Sequence, residues 1–187
     1  MRVSTRELTV KDSNARVLRY VAVALLSVSA VVHLRWAVGP RPDGGASRLA
    51  IYANPRTLVY YLESGSVPDP RPFLFVGLVL AIVIGILAVR RGSIGYRTAY
   101  VLGIALVSAS IGGWALWHTV LSHGVLLTAA DPAAATAATG DTHGGVLHTL
   151  LEHAVSIPFE GATKGVELAA LAVLAVLLWA DPRAAGD

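Results

Sequence analysis

The sequence predicts an all-α fold: an integral membrane four-helix bundle with a short amphipathic helix in its last outer connection. Of the 187 residues, 55% are hydrophobic and only 14% are charged, which is far more apolar than a soluble domain of this length requires. The apolar residues fall into four runs of near bilayer thickness. Most lysines and arginines stand at the ends of these runs, as they do in membrane proteins.

The chain is predicted to form a single membrane domain, residues 17–181, between cytoplasmic tails at 1–16 and 182–187. The first apolar run is interpreted as an uncleaved span, because no small-x-small cleavage site follows Arg35. Pro72 opens the second run and Pro158 marks the turn into the fourth. The predicted spans are 17–38, 72–89, 98–121 and 159–180.

The connections differ in length and character. The 39–71 connection carries Tyr52, Tyr60 and Tyr61, a pattern suited to short helices at the membrane surface. Only seven residues, 90–96, separate the second apolar run from Arg97, which predicts a tight hairpin. In the last connection, residues 146–156 predict an amphipathic helix whose apolar surface comprises Leu147, Leu150 and Leu151.

Orientation follows from the distribution of basic residues between the two sides of a four-span chain. The connection after the second span is very short and strongly basic, so it weighs heavily toward the cytoplasm. Both termini are therefore predicted to be cytoplasmic. Nine basic residues then lie inside (Arg2, Arg6, Lys11, Arg16, Arg19, Arg90, Arg91, Arg97, Arg183) and six outside (Arg35, Arg41, Arg48, Arg56, Arg71, Lys164).

Composition also excludes several kinds of site. The chain has no cysteine, which rules out disulfides, thiolate metal sites and cysteine nucleophiles. Its one methionine is the first residue, so no thioether copper site is expected. The basic residues form no patch interleaved with exposed aromatics, so nucleic acid is not an expected partner.

All six histidines fall on the predicted outer side: His33, His118, His123, His143, His148 and His153. One interpretation is that His33 hydrogen-bonds a neighbouring helix and that the histidines of the last connection are solvated. The other is a cofactor site, with His33 and His118 at the outer ends of the first and third spans as ligands of a haem or metal, or as groups against a quinone. Cofactor identity stays open, and the fold requires none.

The 146–156 helix offers a candidate metal set. His148 and Glu152 share one helix face and His153 lies on another, and His148, Glu152 or His153 is predicted to close over a divalent metal held by His33 and His118. The spacing matches neither H-E-x-x-H nor H-x-x-E-H, which excludes a zincin.

Two further groups admit both a structural and a functional interpretation. Trp114, Trp117 and Leu121 form one face, typical of an interfacial aromatic belt or of a wall for a flat ring. The charges at 160, 164 and 167 neutralise one another at the start of the last helix; a deeper Glu167 would become a functional candidate with Arg35 or His33 as partner.

A stripe of small residues runs along the third span. Ala105, Ala109 and Gly113 recur every four residues, which predicts close packing against the second span through Gly77 or Gly85.

Three short strings carry a resemblance: Ser29-Ala-Val-Val-His33-Leu34, Phe73-Leu-Phe-Val-Gly77 and Gly165-Val-Glu167-Leu-Ala-Ala. Together they resemble small four-span membrane proteins of unassigned function from actinobacteria and haloarchaea. The resemblance covers the spans and not the long connections. It implies a four-helix bundle with a histidine near the outer end of its first helix, and it implies no activity.

Three classes of function compete. The leading hypothesis is a non-enzymatic structural or accessory subunit of a membrane complex, with the lipid bilayer and other membrane subunits as partners. The alternative is a haem-, metal- or quinone-binding redox protein with its histidine site at the outer leaflet. A small transporter is disfavoured, because the sequence offers only two candidates for ionisable groups within the spans, His33 and Glu167.

Overall fold

The computed structural model describes residues 12–41, 44–64, 69–121 and 145–184. Within these ranges the regular elements are all α-helices, which confirms the predicted all-α class. They are α1 (Asp12–Val38), α2 (Arg48–Tyr52), α3 (Pro55–Ser64), α4 (Arg71–Arg90), α5 (Tyr96–His118), α6 (Gly145–Ser156) and α7 (Pro158–Ala180).

Four of these helices, α1, α4, α5 and α7, are long and apolar enough to cross a membrane. They have 27, 20, 23 and 23 residues, and at about 1.5 Å of rise per residue even the shortest reaches about 30 Å, the thickness of a hydrocarbon core. The four predicted apolar spans are therefore confirmed as helices. Helix α1 begins earlier than its predicted span, at Asp12, and α5 ends earlier, at His118.

Prolines mark the starts of α4 and α7, as the sequence predicts, and a glycine follows the end of α4. Proline occupies the first turn of α4 and of α7, where a missing N–H costs no hydrogen bond. After α4 the chain turns at Gly92, whose φ of 69° lies in the left-handed region that suits glycine. The amides of Gly92 and Ser93 then bond to carbonyls of the last turn of α4, which closes the tight turn into α5.

The long helices do not all contact one another equally. Helix α1 packs along both α4 and α7, and α7 also packs along α5, whereas α4 and α5 touch little. Gly103 permits the α5–α7 approach, because a Cβ there would lie 3.1 Å from Leu174 Cδ1. The buried apolar cluster consists of Ala22, Tyr100, Val107, Leu174, Leu177 and Ala184.

The predicted packing of the small-residue stripe is wrong. Ala105, Ala109 and Gly113 are exposed, and both glycines of α4 have open space around them. The physical reason is the rotation of α5, which turns the face carrying Gly103 and Val107 toward α7 and leaves the stripe facing the gap beside α4.

The 39–71 connection contains two short helices, as its tyrosines predict. Ser47 caps α2, its Oγ accepting a hydrogen bond from the Ala50 amide at 3.1 Å. The Tyr52 ring lies 5.2 Å from the Phe73 ring of α4 and 6.0 Å from that of Tyr61. Burial and the hydrogen bond to Tyr61 raise the pKa of Tyr52 to about 12.

The predicted helix in the last connection is α6, which packs on α7 and against the end of α5. Gly161 permits the sharp α6–α7 turn, because a Cβ there would lie 2.1 Å from the Ala154 carbonyl oxygen. Of the three leucines of the predicted apolar surface, Leu150 is half-buried, while Leu147 and Leu151 are exposed. Residues 1–11 and 185–187, most of the two predicted tails, lie outside the described residues, as do His123 and His143.

We call the two ends of the assembly the His33 end, where α1 and α5 finish and α4 and α7 begin, and the opposite Asp181 end. Asp181 is 3% exposed and directly follows α7. It accepts a hydrogen bond from the Tyr100 hydroxyl of α5, and its Oδ2 lies 3.0 Å from Arg19 Nε of α1. The Asp181 end is therefore tied together across three helices.

Candidate functional site

A group of polar side chains is buried between α1, α5 and α7 at the level of Glu167. The Glu167 side chain is 1% exposed. Its Oε1 accepts hydrogen bonds from Ser29 Oγ at 3.0 Å and Ser110 Oγ at 2.9 Å, and its Oε2 accepts one from Lys164 Nζ at 2.7 Å. The group fastens three helices to one point.

His33 belongs to the same group. Its Nδ1 lies 2.8 Å from the Ser29 carbonyl oxygen, which assigns a hydrogen to Nδ1. Its Nε2 faces Glu167 Oε1 at 3.6 Å, longer than a hydrogen bond. The Phe75 ring of α4 covers His33, with ring centroids 4.5 Å apart. Both ring nitrogens of His33 are thus directed at groups of the protein.

Beside this group lies a cavity of about 610 Å³, lined by residues of α1, α4, α5 and α7. Apolar side chains make up most of its wall, and both His33 and His118 contribute to it. The charged lining residues are Arg71, Glu160 and Lys164, and the aromatic ones are Trp36, Phe75, Trp114, Trp117 and Phe159. Its size and apolar wall with a few polar groups are typical of small-molecule sites.

We place the mouth of the cavity between α4 and α5. These helices touch little, and the lining residues that they contribute there include exposed ones. Leu74 of α4 is 63% exposed and Leu116 of α5 is 53% exposed, while Ala109 and Gly113 are also exposed. Ala109 and Gly113 of the small-residue stripe therefore border the mouth of the cavity.

A second polar group lies at the outermost part of the wall, around Glu160 of α7. Trp114 Nε1 donates a hydrogen bond to Glu160 Oε2 at 3.2 Å, and His118 Nε2 lies 3.5 Å from the same oxygen. The His118 ring contacts the His153 ring of α6, with centroids 4.4 Å apart. Helix α6 is thereby attached to the cavity wall.

Arg71 lines one side of the cavity, and its positive charge is neutralised by a neighbouring carboxylate. Its guanidinium forms a two-pronged ion pair with Asp69, at 2.8 Å from Nη2 to Oδ2 and 3.0 Å from Nε to Oδ1. Its planar face lies 4.0 Å from the Trp117 ring centroid and 5.0 Å from that of Trp36. These contacts hold Arg71, Trp36 and Trp117 against one another.

The predicted cofactor residues meet at one cavity, although they lie on different helices. His33 and His118 both line it. His148 and Glu152 do not: they pair at 3.8 Å on a surface where each side chain is about two-thirds exposed. His153 turns to the opposite side, toward His118.

The predicted metal set finds no matching geometry. In the ranges that the structure describes, no three histidine, cysteine, aspartate or glutamate side chains are placed to hold one metal ion. The metal assignment for His148, Glu152 and His153 therefore remains a prediction from sequence spacing alone.

The two ambiguous groups of the sequence both belong to the cavity. Trp114, Trp117 and Leu121 line it, which favours the wall interpretation for these residues, whereas Trp179 at the Asp181 end is 83% exposed, as a belt residue would be. Glu167 is buried and pairs with His33, the deeper placement that makes it a functional candidate.

Sequence reasoning missed the two serines that bind Glu167. Ser29 precedes His33 by four residues, so the two share a helix face, which was a usable signal. Ser110 lies on another helix with no such neighbour, and its contact with Glu167 depends on how α5 and α7 pack.

No protein-family model matches the chain, and no curated protein or solved structure is significantly similar to it, so the cavity and its polar groups carry the functional argument.

Proposed function

We propose that this chain is a multi-pass integral membrane protein, a four-helix bundle with both termini in the cytoplasm and the His33 end in the outer leaflet. Apolar side chains in the middle of the long helices support membrane insertion: Ile84 is 62% exposed, Leu102 56% and Leu168 54%. Lipid is the solvent that such side chains prefer. The basic turn between α4 and α5 supports the orientation.

Cysteine labelling tests this topology, because the natural chain contains no competing thiol. Ile94→Cys, in the turn between α4 and α5, should react with a membrane-impermeant reagent only after the membrane is opened. Reaction of this cysteine in intact cells would show that the orientation is the opposite of the one proposed.

Within this topology, the proposed activity is binding of a lipid-soluble small molecule in the cavity. The observation that carries the proposal is a 610 Å³ cavity that opens between two apolar helices and has the buried His33 and Lys164 and the half-buried Glu160 at its walls. A ligand dissolved in the bilayer reaches such a mouth laterally. Ionisable groups kept at membrane depth are costly, and they most often mark a functional site.

A lipid-soluble organic ligand fits the site better than haem does. Axial ligation of haem needs an imidazole nitrogen directed at the iron. His33 Nε2 is directed at Glu167 and His118 Nε2 at Glu160, at 3.6 Å and 3.5 Å. Haem binding would require both histidines to leave these carboxylates.

The accessory-subunit hypothesis keeps one specific support. Ala105, Ala109 and Gly113 are exposed on α5, and small residues of this spacing accept a helix of another chain. Stoichiometric co-purification of a second membrane protein, lost on Ala105→Leu, would favour that function over ligand binding.

Extraction of bound molecules tests the proposed binding. The full chain is purified in neutral detergent, and the organic extract is analysed by mass spectrometry. Gly113→Leu places a side chain at the cavity mouth, whereas Gly85→Leu on α4 lies away from the lining; at both glycines an added Cβ meets open space.

We expect a lipid-soluble molecule at near-stoichiometric amounts in the natural protein and in Gly85→Leu. Gly113→Leu should retain about tenfold less, because the leucine side chain would occupy space that the bound molecule needs, and such crowding costs on the order of 1–3 kcal/mol. The same extract from all three proteins would contradict the proposed cavity ligand.

A further inference from the structure

One carboxylate in the cavity wall keeps an oxygen without a hydrogen bond. Glu160 lines the cavity, and its side chain is 34% exposed. Its Oε2 accepts the hydrogen bond from Trp114 Nε1. Its Oε1 accepts none among the described residues, and this atom is not one of the buried unpaired ones, so it is accessible from outside the protein. Glu160 therefore has room for a further partner, unlike Glu167, whose two oxygens both accept hydrogen bonds.

The charges of the wall leave Glu160 without a matching cation. The guanidinium of Arg71 is paired with Asp69, and the ammonium of Lys164 is paired with Glu167. Within the described ranges, no lysine or arginine forms an ion pair with Glu160. The wall and its paired partners therefore carry one surplus negative charge when the histidines are neutral, and that charge lies on Glu160.

The side chains around Glu160 are suited to an organic cation. Trp114, which is bonded to Glu160, and Phe159, which precedes it, both line the cavity. Aromatic rings attract organic ammonium groups through the negative charge of their faces. His118 Nε2 lies 3.5 Å from Glu160 Oε2, and a neutral imidazole does not cancel the charge of the carboxylate. A carboxylate beside aromatic rings is a favourable position for a positive charge.

The rest of the cavity determines the rest of the ligand. Most of the wall is apolar, and the exposed Leu74 and Leu116 line it beside the mouth between α4 and α5. Glu160 lies in the first turn of α7, at the outermost part of the wall. A cation held there stays close to the membrane surface, where a charge costs less than in hydrocarbon, while an apolar body fills the cavity.

We infer that the cavity takes an amphiphilic organic cation, an ammonium or pyridinium group with an apolar body, whose charge lies against the Glu160 carboxylate and the Trp114 ring. This inference rests on the proposed function and specifies its ligand. A free lipophilic cation and the choline headgroup of a phospholipid share this chemistry, and the test separates the two sources.

The test uses three rod-shaped probes of similar size that differ in charge: N-methyl-4-phenylpyridinium, 4-methylbiphenyl and biphenyl-4-carboxylate. Binding to the full chain is measured by calorimetry in neutral detergent at about pH 8, where free histidine is neutral, with empty micelles subtracted. The variant Glu160→Gln removes the charge and keeps an oxygen for the Trp114 hydrogen bond. Glu152→Gln is the matched control, because Glu152 is exposed on α6 and does not line the cavity.

We expect the natural protein and Glu152→Gln to bind the pyridinium about tenfold more tightly than methylbiphenyl, and the carboxylate least tightly. In Glu160→Gln the preference for the cation should shrink about 3- to 10-fold, while binding of methylbiphenyl stays the same. Because the three probes compare charges on the natural protein, the inference can be judged even if Glu160→Gln folds poorly.

Two short lipids distinguish the sources of the cation. Dihexanoylphosphatidylcholine carries a choline group, and dihexanoylphosphatidylglycerol has the same chains and no cation. Displacement of the pyridinium by the choline lipid alone would support a lipid headgroup, and displacement by neither would support a free cation. Equal displacement by both lipids would assign the cavity to acyl chains and overturn the inference.

The probes themselves can also overturn it. If the natural protein binds methylbiphenyl or the carboxylate as tightly as the pyridinium, or if Glu160→Gln keeps the full preference, the cavity does not recognise a cation at Glu160. The proposed function would stand in that case if Gly113→Leu still blocked the probes. Binding of none of the probes would remove the proposed function as well.

Discussion

Each end of the helical assembly contains a buried carboxylate, Asp181 at one end and Glu167 toward the other, and the two are surrounded differently. Asp181 is reached by long side chains, Arg19 from α1 and Tyr100 from α5. Glu167 is reached by short ones, Ser29 from α1 and Ser110 from α5, together with Lys164 of its own helix. Long partners fill the Asp181 end, whereas short partners leave space beside Glu167.

The difference teaches where a cavity can form in this fold. The described hydrogen bonds and ion pairs of the two carboxylates join them to α1, α5 and the α7 region and not to α4, so α4 is held mainly by its packing along α1. The gap between α4 and α5 is therefore the least restrained part of the assembly. The cavity opens there, next to the shorter partners of Glu167.

The largest predicted effect is on stability, from Glu167→Gln. Removing this charge leaves the Lys164 ammonium buried without its partner, which costs about 3–5 kcal/mol. Glu152→Gln is the matched control, because the Glu152–His148 pair is exposed and should contribute less than about 0.5 kcal/mol. Both are measured as free energies of unfolding in detergent.

A double variant checks the physical cause. Lys164→Met with Glu167→Leu removes both charges, and it should recover much of the loss, since buried pairs are often replaceable by apolar side chains. If the double variant is less stable than Glu167→Gln, the hydrogen bonds of the serines, and not the orphaned charge, dominate the cost.

The next effect is that of Asp181→Asn, which should cost about 1.5–3 kcal/mol, the range for hydrogen bonds to a charged group. It should cost less than Glu167→Gln, because Arg19 keeps a second partner in Asp12 at 3.1 Å. Ligand binding at the cavity should be unchanged. A loss of binding in Asp181→Asn would show that the two ends are coupled.

The sequence predicted where the helices lie along the chain, but it did not predict which helix faces pack against one another. Apolar length and prolines located the four long apolar helices, because these signals are local. The stripe at Ala105, Ala109 and Gly113 marks a narrow face of α5, yet the same face is suitable for a partner helix or for a cavity mouth, and only the packing decides between them.

The candidate site was predictable in part for the same reason. His33, His118 and Glu167 stood out as polar groups near the ends or within apolar runs. The outward direction of His148 and Glu152 follows from the docking of α6 on α7, which depends on contacts far apart in sequence. Trp117 Nε1–H is buried without a hydrogen-bond partner among the described residues, and residue type alone does not reveal this.

A third prediction compares two positions on α5. Gly103→Leu should cost about 1–3 kcal/mol of unfolding free energy, because even a Cβ at Gly103 lies 3.1 Å from Leu174 Cδ1. Ala109→Leu should change it by less than about 0.5 kcal/mol, because Ala109 is exposed. Similar costs at both positions would mean that α4 and α5 are closed together in the membrane and that the mouth is absent.

The smallest effect concerns Tyr52, at the connection that covers the His33 end. Burial and the hydrogen bond to Tyr61 raise the pKa of Tyr52 from 10.0 to about 12, so its neutral form is favoured in the folded protein. The corresponding stability is fully present below pH 10 and is lost as the pH rises through about 12. Tyrosinate absorbance during alkaline titration should therefore contain a late step that is missing in Tyr52→Phe. Around neutral pH, the contribution of Tyr52 to stability should not depend on pH. If removing Tyr52 deletes absorbance near pH 10 instead, α2 is not packed against Phe73, and the His33 end is more open than the contacts at Tyr52 indicate.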